Sequence, residues 1–250
     1  MSDTSAFQPS VPPRIPGPNP EAANLPLGDG FEERVPVANF IIAVEAILRQ
    51  PRRIIHQLRQ EGQAGLVARL LLIALVCSLV YGVVVGTFSR TEPLFQLWTA
   101  PLKTALALLV SALICLPSLY VFSCLSGSQA RIMEVFGLLA GLLALTTVLL
   151  IGFAPVAWVF SESTKSVPAI GALHFLFSFI AISFGLRFLF AGFTYLSVSS
   201  KTGLKVWVAI FVLVTLQMTT ALRPMVGTSR TFFPPEKKFF INHWSECLER

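Results

Sequence analysis

Five arginines, Arg49, Arg52, Arg53, Arg59 and Arg69, stand at the head of an apolar run, Leu66 to Phe88, in the segment ILRQPRRIIHQLRQEGQAGLVARLLLIALVCSLVYGVVVGTF. As a helix rising ~1.5 Å per residue, that run crosses the ~30 Å hydrocarbon core of a bilayer. Inside lipid every backbone N–H and C=O must be satisfied within the protein, so a run of this length and composition is restricted to a helix packed with other helices. The same feature predicts orientation, because cations gather on the cytoplasmic side of a first span.

The rest of the chain follows this constraint. Of 250 residues, 54% are hydrophobic and only 13% are charged, about half the charge a soluble domain uses to cover its surface. The net charge of +6 comes largely from cations that flank apolar runs. It therefore points to anionic lipid headgroups rather than to nucleic acid. The expected fold class is all-α, a polytopic membrane bundle of about five spans preceded by amphipathic interfacial helices.

Residues 1–36 hold a proline-rich segment with VPPRIPGPNP, expected to be disordered because it offers little apolar surface to offset its ordering entropy. It has no basic start followed by an apolar core, so the first span is expected to serve as the uncleaved insertion signal. Residues 37–62 read as two short amphipathic helices. Phe40, Ile41, Val44, Ile47 and Leu48 share one face, and Pro51 ends the first helix and opens the next. Arg49, Arg52, Arg53 and Arg59 are the expected contacts with the membrane surface; an equal reading docks the apolar face on the bundle, and the two are compatible.

Spans are expected at about 66–88, 102–125, 132–160, 168–196 and 206–222. In the first, Ala74, Ser78, Gly82 and Gly86 recur every four residues, and in the third Gly137 and Gly141 form a GxxxG pair. In the fourth, Gly171, Ser178, Gly185 and Gly192 recur at sevens with His174, Ala181 and Phe188 between them. Small residues at such spacing let helix backbones approach closely, which lipid-embedded helices need because hydrocarbon gives them no hydrophobic drive to associate. Pro117 is expected to kink the second span, and the third is expected to tilt or to unwind at Ala154-Pro155. Trp158 and Trp207 are read as interface aromatics.

The polar candidates inside the membrane are His174, Arg187 and Gln217. A charge there costs at least ~2.5 kcal/mol on insertion scales and is a functional candidate by default, although Arg187 lies near enough to a helix end to snorkel. Residues 223–250 form a tail in which Phe239, Phe240, His243, Trp244, Cys247 and Leu248 share one helical face. Cysteine spacing suggests neither a disulfide framework nor a zinc site, and no cofactor or metal motif is present. Arg90 and Lys103 beyond the first span are outnumbered by the five arginines before it, so the N-terminus is expected in the cytoplasm, with Lys201 and Lys205 on the same side.

ILRQPRRIIHQL followed by a glycine-bearing span, together with LPSLYVFSCLSG, FAPVAWVFS and LRPMVG, resembles bacterial Yip1-like multipass membrane proteins over roughly residues 47–227. The resemblance implies a short cytoplasmic helix with a Pro-Arg pair and a bundle of about five spans in the bacterial cytoplasmic membrane. The DLYGP-type signature of eukaryotic members is missing, so no trafficking role is implied, and no catalytic residue comes with it.

Two functions compete. One is a non-enzymatic protein that organises lipids, a membrane-protein partner or further copies of itself. The other is a transporter or permease subunit with a polar path near His174, Arg187 and Gln217. An intramembrane enzyme is disfavoured: the span region contains no aspartate and no recognised nucleophile-base or metal motif.

Overall fold

The computed structural model describes residues 27, 31–60, 62–87, 93–128, 130–163, 167–196 and 202–222. Among these the chain is all-helical, with helices α1 (Phe31–Arg34), α2 (Phe40–Arg49), α3 (Pro51–Gln57), α4 (Ala64–Thr87), α5 (Pro93–Leu125), α6 (Ile132–Ser163), α7 (Val167–Tyr195) and α8 (Thr202–Leu222). The expectations for most of the N-terminal segment, for Arg90 and Lys201 and for the aromatic C-terminal tail lie outside the described residues. Four helices, α4 to α7, are long and apolar enough to cross a membrane, and α8 is a shorter apolar helix. The protein is an integral membrane protein.

The helices pack in the order α8–α5–α4–α6–α7. α6 is the centre: every residue from Gly137 to Thr147 is buried, so this stretch is covered on all sides rather than along one stripe. The small-residue pattern explains how. A Cβ on Gly192 would strike Leu138, one on Gly185 would come within 2.5 Å of Thr146 Oγ1, and one on Gly141 would strike Phe188. As α7 numbers fall (192, 188, 185), α6 numbers rise (138, 141, 146), which sets the two helices antiparallel along one continuous seam. On α4, Ala74, Ser78, Gly82 and Gly86 are all buried, and Gly82 lies against the backbone of Pro101 in α5. Gly171 is buried on the α7 seam.

Several expectations are corrected. α5 begins nine residues before Leu102 and runs through both Pro101 and Pro117. Lys103, expected near a span edge, therefore lies well inside a helix and is only 5% exposed. α6 continues through Pro155 to Ser163 with no unwound segment, and Pro155 is exposed. Trp207 is fully buried rather than interfacial. Its Nε1–H donates to the carbonyl of Cys115 at 3.0 Å, close to Pro117, where a proline-containing stretch of membrane helix recruits donors from its neighbours. Trp158 is exposed.

α5 stops at Gly127, whose φ of +81° is accessible to glycine and costly for other residues. Its N–H donates to Cys124 O, and Ser128 N–H donates to Ser123 O. This pairing closes a helix C-terminus and turns the chain back into α6.

Candidate functional site

Two features stand out: a collar of short helices at one end of the bundle and a cavity in its middle.

The collar is α1–α3. Pro51 occupies the first position of α3, where its missing N–H costs nothing. Ile54, Ile55 and Leu58 are buried with Ala43, Ala46 and Ile47 of α2 in the main core. Leu58 fills the space above Gly137, where a Cβ would come within 2.6 Å of it. The face expected on α2 divides between two environments: Ile47 docks inward, whereas Phe40, Ile41 and Leu48 stay exposed, Ile41 at 78%.

The arginines hold this collar in place. Arg52 Nε donates to Glu33 Oε1 at 2.8 Å, and its guanidinium lies 5.5 Å from the centre of the Tyr195 ring. Arg53 donates to the carbonyls of Val35 and Pro36, and Arg69 donates to Val37 O at 2.6 Å. Arg59 donates to Tyr195 O at the end of α7, where a cation meets unpaired carbonyls at the negative end of the helix dipole. Arg49 is exposed and pairs with Glu45 at 3.2 Å. The stretch expected to be disordered thus includes a helical turn, α1, tied to α3.

The cavity, about 270 Å³, is walled by side chains of all five long helices. Leu108, Leu150, Phe175, Ile182, Val212 and Leu216 make it largely apolar, and among the described residues no charged side chain lines it. Hydroxyls are present, but five of them are turned to their own helices. Ser78 donates to Leu75 O, Thr104 to Ala100 O, Thr147 to Leu143 O, Ser183 to Phe179 O and Thr215 to Phe211 O. Such back-bonding is how hydroxyls are satisfied where there is no water. Thr146 Oγ1 is buried without a hydrogen-bond partner among the described residues and sits against Gly185.

At one end of the cavity, Tyr81 of α4 and His174 of α7 form a buried hydrogen bond of 2.7 Å between the hydroxyl and Nδ1. The rings meet edge to face, 86° apart with centroids at 5.7 Å.

The three polar candidates are not brought together. His174 is 2% exposed and engaged by Tyr81. Arg187 is exposed on α7, with its guanidinium 5.6 Å from the centre of the Phe184 ring one turn away. Gln217 is half-buried on α8, and its Oε1 is buried without a hydrogen-bond partner among the described residues. None of the three lines the cavity, whereas Ser178 of the α7 seam does.

Sequence reasoning missed Tyr81, Thr146 and the burial of Lys103. Tyr81 carried a signal: it lies seven residues after Ala74 and three after Ser78, on the stripe already assigned to packing. Among the described residues no three His, Cys, Asp or Glu side chains come together in a way that would hold a metal ion. Comparison with family models, with curated proteins and with solved structures finds no match for this chain.

Proposed function

We propose that this is a non-enzymatic protein of the bacterial cytoplasmic membrane, with its N-terminus in the cytoplasm, that organises lipids or membrane-protein partners through its docked collar. The observation that carries the reading is the division of α2. Ala43, Ala46 and Ile47 are buried against the bundle while Ile41 and Leu48 stay exposed beside Arg49. A helix held rigidly at the end of a membrane bundle with apolar side chains outward is suited to the headgroup–acyl boundary, or to a partner that lies there.

The cation distribution supports this orientation. Gly203 of α8 lies against Ser126 at the end of α5, which puts Lys205 and Arg131 on the same side as the collar arginines. That side carries the cations expected of a cytoplasmic face. The resemblance to Yip1-like proteins implies a bundle of about five spans and assigns no activity. Within the bundle several buried polar groups are engaged by neighbours: Thr147 bonds its own helix, Tyr81 bonds His174, and Trp207 bonds the Cys115 carbonyl.

The test uses the full chain in vesicles containing phosphatidylglycerol, spin-labelled at Ile41→Cys or Leu48→Cys in a background without native cysteines. The reading expects both labels to be more accessible to oxygen than to a water-soluble nickel complex. The reverse order at both positions, with no protein partner shielding them, removes the surface role of α2.

A further inference from the structure

We infer that the mid-bundle cavity is a lateral binding site for a lipid hydrocarbon chain, admitted between α7 and α8. The inference goes beyond the role of the collar and shares with it only the placement of the bundle in a bilayer.

Depth is the first argument. The wall residues Leu108, Thr147 and Ile182 each fall near the midpoint of α5, α6 and α7, so the cavity lies at the level of the acyl-chain ends. Access is the second. α7 and α8 are the two ends of the packing row and, among the described residues, make at most a marginal contact with one another, yet both contribute to the wall. Phe179 of α7 belongs to that wall and is also 71% exposed, which marks the mouth as facing outward, toward lipid.

Chemistry is the third argument. The walls are apolar, and the hydroxyls of Ser78, Thr147, Ser183 and Thr215 already donate to their own helices. The Tyr81 hydroxyl is engaged by His174, and Thr146 Oγ1 is turned against Gly185. Most of the wall hydroxyls are thus engaged, Thr146 Oγ1 alone being buried without a hydrogen-bond partner among the described wall residues, and a chain end asks for no hydrogen bond. Size agrees: apolar cavities of roughly 150 Å³ take up benzene, so about 270 Å³ accommodates the final stretch of one chain rather than a whole lipid.

The test places the full chain in phosphatidylcholine–phosphatidylglycerol nanodiscs containing a trace of phosphatidylcholine with a photoreactive diazirine. The diazirine sits either at the end of one acyl chain or next to its carbonyl. The expected result is that the chain-end probe labels inward residues around Thr147 and Thr215 at least five-fold more than the carbonyl-proximal probe does. Ser178→Phe, and in a gentler variant Ala107→Leu, should lower this inward labelling several-fold while labelling of the exposed Leu113 on α5 is unchanged.

Inward residues left unlabelled while Leu113 is labelled would overturn the site and leave the membrane placement standing. Loss of labelling at Leu113 as well would overturn both. A cysteine placed at Thr147, in a background without native cysteines, should resist a water-soluble maleimide; ready modification would mean that the cavity is filled from water and takes a polar occupant instead.

Discussion

Tyr81 and His174, 93 positions apart in the chain, share a buried 2.7 Å hydrogen bond that ties α4 to α7. The two helices are otherwise joined mainly through α6, which packs against both. The bond closes the bundle at one end of the cavity, and each ring satisfies a polar group that would be costly to leave unpaired away from water.

Removing one partner should therefore cost more than removing both. Tyr81→Phe is expected to destabilise the bundle by about 1 kcal/mol, the range of interhelical hydrogen bonds in membranes, because it leaves the imidazole buried and unpaired. Adding His174→Leu should recover part of that loss. Reversible unfolding in bicelles, read as a double-mutant cycle, checks this; additive losses would contradict the pairing.

The glycine seams give a graded series. Gly82→Ala should be the most damaging, since the new methyl meets the backbone of Pro101, which cannot rotate aside. Gly141→Ala meets only the Phe188 ring, so about 1–3 kcal/mol is expected. Gly152→Ala meets nothing within 4 Å and should be neutral or stabilising by up to about 1 kcal/mol, since alanine favours helix more than glycine does. Thermal unfolding of the three variants in one detergent tests the order.

Much of this was legible in the sequence. The runs that became α4, α6 and α7 stand within a few residues of their expected ends, because lipid demands long uninterrupted apolar helices. The heptad of Gly171, Ser178 and Gly185 does lie inward. Less legible were features set by partners far away in the chain. α5 starts early and carries Pro101 inside it, packed against Gly82. Trp207 is buried with its N–H on the Cys115 carbonyl, a match that periodicity cannot reveal. The arginines signalled membrane topology but concealed their second use, since Glu33 and the carbonyls at Val35, Val37 and Tyr195 become neighbours only after folding.

That second use leads to a further prediction. Arg52 bonds Glu33 in a partly buried pair, and hydrogen bonds to charged groups contribute about 1.5–3 kcal/mol. Arg52→Ala should therefore loosen α1, raising amide exchange in residues 31–37 by roughly ten-fold or more while α6 stays protected. Arg49→Ala removes only an exposed pair one helical turn apart and should change exchange little. Equal effects from the two variants would contradict the clamp.

The central claim is that α4 to α7 cross the membrane in alternation. The direct test is labelling of single cysteines, introduced at Gln60, Thr87, Arg131 and Ser163 in a background without native cysteines, by a membrane-impermeant maleimide in sealed vesicles of known orientation. The account predicts that Gln60 and Arg131 react from one side and Thr87 and Ser163 only from the other. Reaction of Arg131 and Ser163 from the same side, at the two ends of α6, would contradict it.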